Sequence, residues 1–218
     1  MSVGSLFSPS GSAALTSFFS AEYLAIFLPL ALILYAAAPK KIRRYVLLAE
    51  SCLFYLMISG KLILYLIMSA VSVYGFGLWI KKLNDQKSDA IKGAEREEKK
   101  KIKRIYKKKT RLVLALAVLI HIGGLLVIKY SDFAAGNINS FFEMMNVGAR
   151  ISIPKFIMPI GISFFTLQAV SYLVDVYRNT VDADRNFLRV FLWMAFFPQI
   201  VEGPICRYSQ TADGIWKA

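Results

Sequence analysis

The sequence predicts an all-α, polytopic transmembrane protein with broken or re-entrant segments, and three observations carry that reading. The 218 residues are 56% hydrophobic yet carry a net charge of +13, more apolar than an ordinary soluble domain. Long apolar runs alternate with basic clusters, the pattern of membrane spans joined by basic loops. A nucleic-acid binder would carry its basic residues on a soluble fold, so no nucleic-acid partner is expected. Prolines and glycines interrupt the last two apolar runs, and such breaks survive at membrane depth only where protein or a cavity surrounds them.

Residues 1–20 lack Lys and Arg, so they do not read as a secretory signal, which needs a positive start; an extracytoplasmic N-terminal stretch is expected. The remainder, 21–218, reads as one membrane domain. Glu22 to Ala38 is an apolar run ended by Pro39, with Pro29 inside it, and is expected to span. The basic turn 39–45 follows. Val46 to Ser59 and Leu62 to Ile80, joined by Gly60-Lys61, read as a helical hairpin.

Residues 81–111 hold fourteen Lys or Arg against five Asp or Glu, +9 of the net +13. Glu95–Lys99 and Glu97–Lys101 have helix-favouring spacing. Either a basic helix lying on an anionic leaflet or a solvated cytoplasmic linker fits. Leu112 to Ile128 is the next expected span, closed by Lys129 and Tyr130; 131–155 read as mixed and extracytoplasmic. Phe156 to Val174 is uncharged but broken at Pro159-Ile160-Gly161, and Val190 to Val201 is too short to span. About four crossings and two broken segments result. The basic loops 39–45 and 81–111 lie two crossings apart, so the positive-inside rule places both in the cytoplasm.

Three constellations could carry chemistry. In PIGISFFTLQAVSYLVDVYR, residues 159–178, helical spacing puts Gly161, Phe165, Gln168, Tyr172 and Asp175 on one face. Such a polar stripe faces a protein interior or a wet cavity. In FFPQIVEGPICRY, residues 196–208, Pro198, Gly203 and Pro204 break the helix. Glu202 can pair with Arg207 there, and Asp175 with Arg178. Two broken polar segments suggest a tunnel, although transporters also carry broken helices. His121, the only histidine, shares a small-residue face with Ala117 and Gly124 and reads as an interhelical partner rather than a base. Cys52 and Cys206 read as buried thiols. One histidine and two separate cysteines supply too few soft ligands for zinc, so no metal or bound cofactor is expected.

FLPLALILYAAAPKKIRRYVLLAESCLFY, LLVIKYSDF, MPIGISFFTLQAVSYLVDVYR and FFPQIVEGPICRY together resemble the N-terminal half of a bacterial membrane-bound O-acyltransferase (MBOAT). The resemblance is to the branch of alginate O-acetylation and teichoic-acid D-alanyl transfer, and it runs from about Phe19 to Tyr208. It implies an enzyme that moves an acyl group, acetyl or D-alanyl, to a hydroxyl of a cell-envelope polymer. The implied donor is a cytoplasmic thioester or acyl-carrier protein and the acceptor an extracytoplasmic polysaccharide. The setting would be the bacterial inner membrane, with membrane lipid around a multi-pass fold. Gln168, Tyr172, Asp175, Arg178, Gln199, Glu202 and Arg207 would line a substrate tunnel or support its walls. The family's catalytic histidine belongs to a C-terminal half, is expected beyond Ala218, and matches no position here. The 218 residues are therefore expected to be inactive alone and to need that half as partner. The competing class is a non-catalytic membrane scaffold, or a transporter-like half, held to a partner chain.

Overall fold

A computed structural model describes residues 23–145, 148, 150, 152, 157–200 and 203–217, and among them every regular element is helical. The expected N-terminal stretch 1–20 lies outside the described residues, as do Glu202 and Ala218.

A π-helical turn, Tyr23–Phe27, leads into α1, Leu28–Ala37. Pro29 follows directly on the π-helical turn, and the chain stays helical through it, as a membrane helix tolerates. Ala38 is extended before Pro39, as the proline ring requires. α2 spans Arg43–Ser59, and a 3₁₀ turn, Gly60–Leu62, passes the chain to α3, Ile63–Ile91. Gly60 takes φ +52 there, a backbone state open to glycine.

The hairpin of α2 and α3 is splayed. The two helices contact one another little, and α6, Phe187–Ala195, packs on both. The closely packed hairpin is instead α3 with α4, Arg96–Met144. At 49 residues, α4 is roughly 70 Å long, far more than a bilayer core needs. This corrects two expectations. The basic segment 81–111 is not a separate helix or linker, because it forms the two polar ends of α3 and α4. The run ending at Lys129-Tyr130 continues as helix to Met144.

Local chemistry explains the turn between them. Glu95 caps α4 by accepting from the backbone three residues on, while Glu98 reaches back to the Glu95 N–H, a reciprocal cap that satisfies two orphan donors. Lys100 pairs with Glu97 at 2.8 Å, so the expected Glu97–Lys101 pair is replaced by one a residue shorter. α5, Ile162–Arg178, follows the predicted break, and a four-residue turn α7, Phe197–Ile200, and α8, Tyr208–Lys217, complete the described elements.

Leu66, Ala70, Val73 and Ile80 of α3 are buried against α4, α5 and α6 together with Ala117, Ala169, Leu173 and Trp193. The outer surfaces stay apolar: Met68, Leu119 and Phe133 are 69%, 68% and 70% exposed. The stretches Arg43–Ile91 and Arg96–Met144 are long and apolar enough to cross a membrane, and 17% of the most apolar window of each is buried. A soluble core helix would bury most of that surface, so the molecule reads as a membrane protein.

Candidate functional site

The two broken segments meet. α5 begins only after Gly161, which sits at φ +71. A side chain there would be strained, and its Cβ would overlap the Ile200 carbonyl at the end of α7. Glycine is therefore required twice, for its dihedral and for the close approach of two backbones. Gly203 is similarly crowded, by the Gln199 backbone.

Breaks free backbone groups, and lipid cannot satisfy them. α2 does so from one stripe. Tyr55 donates its hydroxyl to the Ile160 carbonyl at 2.9 Å, and Ser59 Oγ accepts from the Ile160 N–H at 3.4 Å. One turn earlier, Ser51 Oγ accepts from the Phe197 N–H at 3.3 Å. Ser51, Tyr55 and Ser59 are spaced i, i+4, i+8, so they stand in line on α2. α2 side chains thus meet both breaks. The spacing of these three polar residues in an apolar helix was visible in the sequence and was missed.

At its other end, α5 is held by a second polar cluster. Tyr172 accepts the Asp184 N–H at 2.9 Å, and Tyr208 donates to Asp184 Oδ2 at 2.5 Å. Arg189 reaches the same carboxylate at 3.2 Å and also pairs with Asp213 of α8. Asp184 Oδ1 accepts the Asn186 N–H, and Asn186 in turn caps α6 through the Leu188 N–H. Trp193 donates to Thr211 at 3.1 Å, and the Tyr172 and Tyr208 rings lie 4.7 Å apart. Burial, and then the Asp184 carboxylate, hold the Tyr208 phenol above its ordinary pKa, so it remains the donor in this bond. Asp184, Arg189 and Asp213 were not singled out from sequence. They lie on a loop and two different helices, and no spacing rule links them.

The predicted site residues divide. Gln168, Tyr172 and Asp175 are buried on the expected face of α5, together with Phe165. Arg178 and Arg207 are exposed, and Gln199 is half-buried. The expected Asp175–Arg178 ion pair does not form; Arg178 points outward at the last turn, while Asp175 is buried and its backbone carbonyl is taken by Thr180. The expected Glu202–Arg207 pair lies outside the described residues through Glu202. Arg207 instead supplies its carbonyl to the first turn of α8. Gln199 donates to Cys206 Sγ at 3.5 Å across the second break. The catalytic histidine expected beyond Ala218 likewise has no place among the described residues, which end at Lys217 of α8.

Several buried acceptors have no partner among the described residues: both carboxylate oxygens of Glu50, Oε1 of Gln168 and of Gln199, and Nε2 of His121. Such buried groups call for a partner, which water or a further protein segment supplies. His121 is on the buried face with Ala117, as expected, but its Nδ1 is 2.8 Å from the Ala117 carbonyl of its own helix. The interhelical bond expected from the sequence is therefore absent. Because a carbonyl only accepts, Nδ1 is the donor in this bond. No group of three or more potential metal ligands occurs among the described residues, and both cysteines are free.

No family model matches the sequence, and no solved structure matches it. Curated relatives do. A protein named probable alginate O-acetylase from Azotobacter vinelandii is 28% identical over 90% of this chain and 35% of its own length. Its namesake from Pseudomonas syringae pv. tomato is 30% identical over 90% of this chain and 34% of its own length. A peptidoglycan O-acetyltransferase from Helicobacter pylori is 31% identical over 46% of this chain and 23% of its own length. The chain thus spans about a third of the length of the alginate relatives it matches. The two broken segments that meet here are among the stretches that carried the sequence resemblance, and over nine-tenths of its length the chain is a homologue of curated O-acetylases of the membrane-bound O-acyltransferase type.

Proposed function

We propose that these residues form the platform of a membrane-bound O-acyltransferase that moves an acetyl group to a hydroxyl of a cell-envelope polysaccharide such as an alginate-like polymer. D-alanyl transfer to teichoic acid is the nearest variant. The supporting observation is similarity to alginate O-acetylases over 90% of the chain, with the matched motif blocks joined at Gly161 and Ile200. On this reading the protein is multi-pass in a bacterial inner membrane. The basic ends of α3 and α4 and the turn 39–45 face the cytoplasm, where a thioester or acyl-carrier protein donates. The polysaccharide acceptor comes from the opposite side.

The chemistry needs a base to take the acceptor's proton as the hydroxyl attacks the acyl carbonyl and the C–S bond of the thioester breaks, the thiolate leaving and taking up a proton; a positioned base contributes typically about 10²–10⁴-fold. His121 does not suit. It lies on the packed face of α4, tied to its own helix, and neither broken segment reaches it by any bond among the described residues. Gln168, Tyr172, Asp175, Arg178, Gln199 and Arg207 line the acyl path or support its walls. On this reading none of these residues is the base, which a histidine-bearing segment of the same enzyme type supplies, so the 218 residues alone do not turn over.

Deletion of the gene tests this, with acetate released from envelope polysaccharide by mild alkali as the readout. Acetate falls in the deletant and returns with the wild-type gene but not with Gly161→Val. Loss of ester-linked D-alanine with unchanged acetate would assign the D-alanyl variant. No change in either ester would favour a non-catalytic scaffold and overturn the proposal.

A further inference from the structure

A cleft of about 310 Å³ opens between α3, α4 and α5, lined by Asn84, Lys87, Lys103, Lys107, Thr110 and Tyr177. We infer that it is a binding site for a phosphate-bearing anion, and that the headgroup of an anionic phospholipid is its occupant.

The walls are built rather than incidental. Asn84 is buried and spans the gap to α5 by donating to Asn179 Oδ1 at 2.8 Å. Asn179 is the left-handed residue that ends α5, at φ 59, a position asparagine tolerates better than most residues. Asn84 Oδ1 accepts from Lys87 at 3.3 Å, which draws that ammonium into the cleft. Thr110 is buried and ties its hydroxyl back to the Tyr106 carbonyl. Lys103 and Lys107 stand one turn apart on α4 and face the same opening.

The charge is unbalanced. No carboxylate lines the cleft, and none of its three lysines pairs with Asp or Glu among the described residues. Three ammonium groups converging on one concavity repel one another, and an anion relieves that. A lysine donates to phosphate oxygens as a point charge, and basic pockets between membrane helices take phospholipid headgroups.

Depth favours the membrane as the source. The uncharged run of α3 ends at Ile80 and that of α4 begins at Leu112. Asn84 and Thr110 are therefore within about a turn of the apolar boundary. Trp79, half-exposed and stacked on Phe76, stands at the same level, as aromatic residues do at the bilayer interface. A headgroup phosphate meets the cleft there without leaving its leaflet.

Two arms test the inference on the full chain in detergent. In one, phosphatidylglycerol or phosphatidylcholine is titrated and retained lipid is read by native mass spectrometry. In the other, inorganic pyrophosphate is titrated without lipid and read by calorimetry. Phosphatidylglycerol should be retained over phosphatidylcholine. A surface lysine contributes roughly fivefold to such binding, so Lys87→Gln/Lys103→Gln/Lys107→Gln should weaken it roughly 100-fold. The charge-matched control Lys82→Gln/Lys101→Gln/Lys108→Gln, all exposed and outside the cleft, should weaken it clearly less than the cleft triple does. Glutamine and lysine are similar helix formers, and if the triple folds poorly, Lys103→Gln/Lys107→Gln touches only exposed positions. Cleft-dependent binding of pyrophosphate alone would keep the phosphate site but assign it to a soluble ligand. Equal losses in both triples, or no preference for the anionic lipid, would overturn the site.

Discussion

Gly161 is held by two constraints that act on different atoms. Its φ of +71 disfavours any side chain, and the Ile200 carbonyl occupies the place a Cβ would take. Gly161→Ala should therefore separate the two breaks. We expect the monodisperse yield of detergent-solubilised protein, read by fluorescence-detected size exclusion, to fall several-fold. Gly75→Ala, where nothing lies within 4 Å of the added carbon, should leave it unchanged. Tyr55→Phe keeps the ring and removes the donor to the Ile160 carbonyl; leaving that group unmade should cost about 1–3 kcal/mol, seen as a lower thermal midpoint. His121→Asn should be near neutral in yield, because its one bond stays within α4 and an amide can donate to the same carbonyl. Abolished acetyl transfer by a complete enzyme at normal yield would show that His121 is the base after all. The sequence marked Gly161 and His121 as positions of interest, through a break and a lone imidazole. It could not show which carbonyl each one met, since Ile200 is distant along the chain and Ala117 is one of many in a helix.

α2 and α8 act as clasps at opposite ends of α5. α2 meets the start of α5 and α7 through Ser51, Tyr55 and Ser59. α8 meets the far end through Tyr208 and, by way of Arg189, Asp213. Tyr208→Phe removes the bond to Asp184 and should loosen α8, so that limited proteolysis cuts after Arg207 faster than in wild type. Because the folded pKa of Tyr208 is raised, its contribution is complete below the unfolded value near 10 and fades only as pH rises beyond it. The difference between the two proteins should thus be flat from about pH 7 to 9. Helix identity was legible where a proline or glycine marked it, α1 before Pro39 and α5 after Gly161, but α6 ends at Ala195 and Pro198 lies inside α7 rather than breaking a helix. Helix length was not. α3 and α4 run on into Lys- and Glu-rich sequence, which makes good helix, but its dense charge reads as the end of a span. The Asp175–Arg178 guess failed for a related reason. Proximity in sequence suggested Asp175 with Arg178, while Arg189 found Asp184 and Asp213 through tertiary packing.

At the scale of the whole molecule, the basic ends fall together. Lys81 bonds Asp182, and Asn84 bonds Asn179, just beyond α5. α8 starts beside Asp184 and ends with Trp216 against Arg44 and Tyr45. A ten-residue helix covers only about 15 Å, so the turn 39–45 and the base of the α3–α4 hairpin occupy one end of the molecule. In a background lacking Cys52 and Cys206, a cysteine placed at exposed Ser88 should react with an impermeant thiol reagent in inside-out vesicles only; labelling in intact cells would reverse the orientation. The central claim is that this chain supplies a platform and not the base. Its most direct test is acetyl transfer by the purified 218 residues, reconstituted with a thioester donor and envelope polysaccharide. The account predicts no transfer above background, and recovery when a family segment bearing a histidine is co-expressed. Robust transfer by the 218 residues alone would contradict it.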